Sequence, residues 1–356
     1  EKPPLLRVKL VKCREEEFDL IFTMHHLVSD GWSLEILHRE FYRYYKSIKE
    51  GRPYTPEPVR IQYKDYAHWH NQLLADRKKL SEVLEFWKPQ LKESPILELP
   101  YDFPPGDLTG KKSAAYRAVV DSDTTGKLKS LARDYQASIF MVLLASFNVL
   151  LWQLTGQEDN LIGMPGAARQ HEDIKNTIGL FVNTLVLRTP VDKNQTFEDF
   201  LKSSQTHVMK MLEYQGYPLE LVCEELAVKY PTISLFFNMV NIGDTSQEMM
   251  PRLETGHMEN VQEAKFHMAL YLVEYRDGMD ILCTYFTQLF LPETVEKVIG
   301  NYIQLLQKIV EEPRKLLKEY RSTRKRLLKK SLASGGQGAL RPEILTKGSD
   351  SGRNEA

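Results

Sequence analysis

The chain has 356 residues, 42% of them hydrophobic and 27% charged, with 47 Lys and Arg against 48 Asp and Glu. That balance suits a packed globular protein of about two domains or lobes, and excludes a fibre or a globally disordered chain. No excess of positive charge invites nucleic acid or an anionic membrane. The longest apolar run, 139–151, falls short of the ~20 residues a membrane span needs.

In chain order, residues 5–11 and 18–23 read as two strands joined by a charged turn. Between 32 and 48 the apolar residues Leu34, Leu37, Phe41, Tyr44, Tyr45 and Ile48 recur every three or four positions, which predicts an amphipathic helix ended by Gly51. Two more helices are expected at 61–74 and 81–91. The Pro- and Gly-rich stretch 94–112 is the best internal linker. After it come a strand at 114–120, a helix from 124, and a strongly apolar helix at 139–154. Strands follow at 160–164 and 182–188, helices at 197–214 and 219–227, and strands at 233–242, 266–275 and 280–286. A last helix covers 293–310. Residues 313–331 hold nine Lys and Arg and one acid, read as a solvated end rather than an RNA or acidic-partner site. From 333 the Gly, Ser and charged composition predicts disorder.

Three cysteines, Cys13, Cys223 and Cys283, lie too far apart in sequence for a zinc quartet or a disulfide framework. They are expected as buried or partly buried free thiols in a reducing compartment. The first 20 residues lack the apolar core of a signal peptide. The chain opens on Glu1-Lys2-Pro3-Pro4 rather than Met, so it is read as a candidate fragment of something larger.

No dinucleotide fingerprint, P-loop lysine, zincin helix or nucleophile elbow appears. The string His25-His26-Leu27-Val28-Ser29-Asp30-Gly31 stands where a strand ends and a helix begins. Adjacent histidines on a strand end point to opposite sides, so one can face a cleft while the other faces inward, and they do not share a metal. Asp30-Gly31 suits a tight turn, with Gly tolerating positive φ and Asp bonding local backbone or an arginine. A histidine on such a turn is suited to proton transfer. A bare His-His pair more commonly means an Asx turn with incidental histidines; the longer string is more specific.

The string resembles the H-H-x-x-x-D-G signature of the condensation domains of nonribosomal peptide synthetases, relatives of chloramphenicol acetyltransferase. Four further segments match in order. Tyr63-Lys64-Asp65-Tyr66-Ala67-His68-Trp69 resembles Y-x-D-[FY]-A-x-W, and Thr155-Gly156-Gln157-Glu158-Asp159 resembles T-G-Q-[ED]-D. Ile178-Gly179-Leu180-Phe181-Val182-Asn183-Thr184 with Arg188 resembles I-G-x-F-V-N-T…R. Gln215-Gly216-Tyr217-Pro218-Leu219-Glu220 resembles Q-D-x-P-F-E. The resemblance covers about 5–312. Intact histidines argue against the cyclisation subtype, and the I-G-x-F-V-N-T form argues against epimerisation.

The resemblance implies an α/β fold of two chloramphenicol-acetyltransferase-like lobes in a V-shaped pseudo-dimer. The first lobe (1–105) carries the histidine loop and is expected to be incomplete, because the family's two earlier motifs have no room before His25. The second (106–312) carries I-G-x-F-V-N-T, and 313–356 is a tail. The implied activity is amide-bond formation between a carrier-bound acyl or peptidyl thioester and a carrier-bound aminoacyl acceptor. The alternatives are a stand-alone CoA-dependent acyltransferase and a non-catalytic docking remnant. His26 is implied as the active-site histidine, with a backbone N–H near Gly31 as oxyanion donor. His25, Asp30 and Arg169 are implied as structural, with a bidentate Asp30–Arg169 pair fixing the loop. Trp32, Ser33, Asn183 and Thr184 are placed at the tunnel or its floor. No metal or directly bound cofactor is implied; partner carrier domains bring the phosphopantetheine arm. The partners are upstream and downstream carrier domains and an adjacent adenylation domain, in the cytoplasm, without nucleic acid or membrane. Three departures stand out: Val228–Ser234 replaces R-D-x-S-R-N-P-L, Leu219 replaces Phe, and His267 stands where Asp is usual and reads as a core or strand histidine.

Overall fold

The computed structural model describes residues 3–106, 112–240, 255–258, 264–275 and 278–320. They lie in one compact unit, 1–323. Strands β1 (Leu6–Lys12) and β2 (Phe18–Met24) form an antiparallel hairpin. Helix α1 (Gly31–Glu50) follows, started by Asp30 as N-cap and stopped by Gly51 at φ 65°. Helix α2 (Tyr63–Ala75) opens with a Gln62/Asp65 capping box, and α3 (Arg77–Leu91) with an Asp76 cap.

The second half builds a seven-stranded sheet. Its strands are β3 (Ser113–Val120), β4 (Asp159–Gly166), β5 (Asn183–Pro190), β6 (Leu235–Val240), β7 (Gly256–Met258), β8 (Met268–Tyr275) and β9 (Gly278–Phe286). Their order is β5-β4-β6-β8-β9-β3-β7. The β4/β6 and β6/β8 pairs are parallel and the others antiparallel. Helices α4 (Ser122–Asp134), α5 (Ile139–Thr155), α6 (Phe197–Glu213), α7 (Leu219–Glu225) and α8 (Pro292–Glu311) complete it.

The core centres on α5, buried at every position from Met141 to Trp152. An all-round apolar helix belongs inside, and α4, α6 and α8 pack against it. Among the described residues no single helix is long and apolar enough to cross a membrane.

The predicted elements all form, with ends shifted by a few residues; 241–242 of one expected strand lie outside the described residues. Strand β7 was not expected, since three residues carry no period. Two other expectations change. Cys13 is exposed, because the hairpin turn places it in solvent with its Sγ 3.1 Å from Asp19 Oδ2. The described start of the tail is packed rather than free: Leu317 and Tyr320 are buried, and Leu316 bridges Thr196. The remaining tail, from 321, lies outside the described residues, as do 107–111 of the Pro-rich segment.

The Pro-rich segment does not separate two cores. Leu97 and Leu99 join Leu80, Val83, Trp87 and Leu91 of α3 in the same apolar cluster as the large sheet. Gln157 clamps the segment, accepting from the Glu98 N–H at 2.8 Å and donating to the Ile96 carbonyl at 3.0 Å. Further on, Asp102 accepts from the Leu291 N–H at 2.7 Å at the start of α8.

Candidate active site

Strand β2 ends at Met24, and the chain turns at once into a 3-10 turn, His26–Val28, that runs into α1. His25 caps this turn: its Nδ1 accepts from the Leu27 N–H at 3.1 Å. The two histidines are therefore not placed by strand alternation. His25 is half-buried by its capping role, and His26, first residue of the turn, is exposed. Gly31 is the first residue of α1 and does not adopt positive φ; a methyl group there would meet no atom within 4 Å. The space over this end of the helix is open. Asp30 provides the turn instead, as N-cap, with Oδ1 accepting from the Ser33 N–H at 2.8 Å.

Asp30 is buried and so is Arg169. The two meet, but not fork to fork. One guanidinium nitrogen, Nη2, lies 3.2 Å from Asp30 Oδ1 and 3.4 Å from Oδ2. Nη1 is committed to the carbonyls of Ile174 (2.8 Å) and Thr177 (2.7 Å). The Arg169 fork is thus divided between a carboxylate and a backbone loop. Its flat face lies on Phe181, 3.8 Å from guanidinium carbon to ring centre, with the Trp32 ring at 5.8 Å. Burial lowers the Arg169 pKa from its ordinary value, and the Asp30 charge opposes that shift. Asp30 Oδ2 also accepts from the Phe181 N–H at 3.1 Å.

These contacts run along one stretch of chain, 174–181, which straps α1 and α2 to the second half. Trp32 Nε1 donates to the Lys175 carbonyl at 2.9 Å, and Arg39 to Asn176 at 2.9 Å. Thr177 Oγ1 donates to the Ile61 carbonyl at 2.6 Å, and the Tyr63 hydroxyl to the Leu180 carbonyl at 2.7 Å. Ser33 is wholly buried on this strap rather than facing open space.

Beyond the strap lies a cavity of about 280 Å³. Tyr63, Tyr66 and His70 of α2 form one wall, Phe181 and Thr184 another, and Gln215 and Glu220 a third. Its walls are braced. Asn183 Nδ2 donates to the carbonyls of Gln215 (3.0 Å) and Tyr217 (2.7 Å), and His70 Nε2 to that of Gly216 at 2.6 Å. Asn183 and Thr184 both line the cavity, and Asn183 also acts as a strut in its wall. Burial, and the neighbouring Tyr63, push the Tyr66 hydroxyl up to about 12.

The T-G-Q-[ED]-D motif is tied in elsewhere, through the arginine that ends I-G-x-F-V-N-T…R. Arg188 grips Asp159 at 2.7–3.1 Å and sends Nη1 to the carbonyls of Pro89 and Lys92, both 3.0 Å, at the end of α3. His267 is a packed histidine: its Nδ1 lies 2.8 Å from the Tyr101 hydroxyl. Sequence reasoning missed the buried Arg117–Asp280 pair across β3 and β9, with Nε to Oδ2 at 2.7 Å. Only the strand register brings those two residues together.

This arrangement, a histidine turn held to the start of a helix by a buried ion pair, sits on a mixed α/β fold that solved condensation domains share. A four-domain holo nonribosomal peptide synthetase solved with AMP and glycine superposes with a TM-score of 0.75 at 22% identity, over 89% of this chain and 25% of that one. The first condensation domain of the calcium-dependent antibiotic synthetase, solved with a substrate analogue, gives 0.71 at 16% identity, over 88% and 72%. The condensation-domain family model matches residues 1–330, and the chain belongs to that family. It is 32% identical over 331 residues to bacitracin synthase 2 of Bacillus licheniformis, covering 90% of this chain and 12% of that protein. It is 33% identical over 329 residues to gramicidin S synthase 2 of Brevibacillus brevis, covering 90% and 7%. The chain therefore spans about a tenth of the length of these curated relatives.

Proposed function

We propose that this condensation domain joins a carrier-bound acyl or peptidyl thioester to the α-amine of a carrier-bound aminoacyl group. The amine nitrogen attacks the thioester carbon, the C–S bond breaks, and the donor's thiol leaves as the amide forms. The observation that carries the reading is the exposed His26 turn fixed against α1 by the buried Asp30–Arg169 pair. His26 holds or accepts the amine proton. The Gly31 N–H stands at the open start of a 20-residue helix, where the backbone dipole favours negative charge, and it serves the tetrahedral oxyanion. His25 caps the turn, and Asp30 and Arg169 are scaffold.

The phosphopantetheine arms belong to the substrates, delivered by upstream and downstream carrier domains. An adenylation domain beside this one would load the acceptor, and the reaction would run in the cytoplasm. These partners are the ones that relatives named as bacitracin, gramicidin S and surfactin synthases lead us to expect.

The test is condensation between loaded carriers, read by intact mass spectrometry, using the full polypeptide the gene encodes. Dipeptidyl product that falls by about 100-fold or more in His26→Ala supports the assignment. Product from free CoA thioesters but none from carriers would replace it with the stand-alone acyltransferase. No product from any loaded carrier, in a protein that melts cooperatively, would mark a docking module.

A further inference from the structure

Ser33 is completely buried, and its hydroxyl sits among four polar partners. Its Oγ lies 2.7 Å from Asp30 Oδ1 and 2.9 Å from the Gly179 carbonyl oxygen, either of which can take its single proton. It accepts from Arg169 Nη2 at 3.0 Å and from the Gly179 N–H at 3.1 Å. A serine hydroxyl offers one donor and two acceptor sites, so this one is fully used. Ser33 Oγ thereby joins Arg169 to the Gly179 N–H, and its proton completes a link to either Asp30 or the Gly179 carbonyl.

We propose that Ser33 is a positioning residue for the His26 turn. Ser29 donates to the His26 carbonyl at 3.3 Å, and Asp30 follows directly, so the cap and the turn are one short rigid piece. Ser33 fixes that piece to the strap on the second half. Removing the hydroxyl leaves the Gly179 N–H and one Arg169 N–H without this acceptor in a buried site, and the cap and the strap shift apart to regain partners. The histidine then moves relative to whatever the second half holds. Misplacement of about 1 Å is enough to cost on the order of 100-fold in rate.

The inference rests on the catalytic reading of His26, and the test separates the two. Ser33→Ala, made in the full polypeptide, is expected to lower the single-turnover condensation rate about 10- to 100-fold. The apparent KM for either carrier should change less than about threefold, since no carrier contact is removed. In a His26→Ala background the same change should cost nothing further, because Ser33 acts through that residue. Lys46→Ala, which removes an exposed ion pair to Glu50 at the far end of α1, is the control and should leave the rate unchanged.

Amide hydrogen exchange supplies a readout that needs no activity. Ser33→Ala should speed exchange at Gly179 and at 28–31 together. Faster exchange at Gly179 with an unaltered turn would overturn the proposal. So would a wild-type rate in Ser33→Ala, or losses that multiply with His26→Ala. Should Ser33→Ala not fold, Ser33→Cys, of similar size with a weaker donor, takes its place under the same criteria. If the wild type makes no product, the catalytic reading fails, while the exchange result still decides the role of Ser33.

Discussion

The Tyr63 ring fills the volume that any side chain at Gly179 would need. A methyl group there would lie 2.1 Å from the ring's Cδ2. The glycine is thus set by a close approach between α2 and the strap. Gly179→Ala is expected to cost about 1–3 kcal/mol by overpacking, read as a lower urea midpoint at unchanged slope. Tyr63→Leu should recover part of that loss in the double variant, and strictly additive effects would refute the steric cause.

Breaking the buried pair from either side strands a charge. Arg169→Ala leaves Asp30, and Asp30→Ala leaves Arg169, in a site closed to solvent. Each is expected to cost about 3–5 kcal/mol and to lower soluble yield and melting temperature along with activity. Arg169→Lys should restore little, since an ammonium group cannot reach Asp30, Ser33 and two carbonyls at once. Loss of activity at full stability would show that the pair is more than scaffold.

Tyr66 makes an alkaline prediction. Its hydroxyl is raised from 10.0 to about 12, chiefly by burial. The folded state therefore keeps the proton where the unfolded chain releases it. The stability linked to this proton is full below pH 10 and is lost as pH rises through about 12. Tyr66→Phe should lose less stability than wild type across that window. Equal losses in parallel urea titrations would count against it.

The hairpin carries an apolar face. In the β1/β2 register Leu6, Val8 and Leu10 lie opposite Met24, Phe22 and Leu20, and Lys12 lies opposite Phe18. Phe22 packs edge to face on Phe41 of α1, which leaves Leu6, Val8, Leu10 and Phe18 exposed. Among the described residues β1 pairs only with β2. An apolar face beside an open strand edge favours association. Val8→Lys with Leu10→Thr should raise the concentration at which this chain stays monodisperse, measured by light scattering. The melting temperature should be little changed.

Much of the fold could be read along the chain because its signals are local. The three- and four-residue period announces α1, the unbroken apolar run announces α5, and Gly51 and Gly156 mark helix ends at φ 65° and 78°. The motif resemblance also brought Asp30 and Arg169 together, 139 residues apart. How the arginine divides its fork was not legible. That depends on where the carbonyls of Ile174 and Thr177 come to lie, and backbone oxygens leave no trace in residue identity. Its place beside the motif puts Ser33 at the tunnel floor, and only its burial reveals a hydroxyl turned inward. The core contacts of Leu97 and Leu99 were hidden by the prolines around them.

The strap at 174–181 has a consequence for recombination. Asp30 and Ser33 are encoded early, and Arg169, Gly179 and Phe181 late, yet they form one hydrogen-bonded unit. A chimera of two such domains joined anywhere between 34 and 168 takes the two sides of this unit from different parents. Compatibility of the parents at these five positions and at Tyr63, rather than similarity around the junction, then decides whether the hybrid keeps its histidine turn in place.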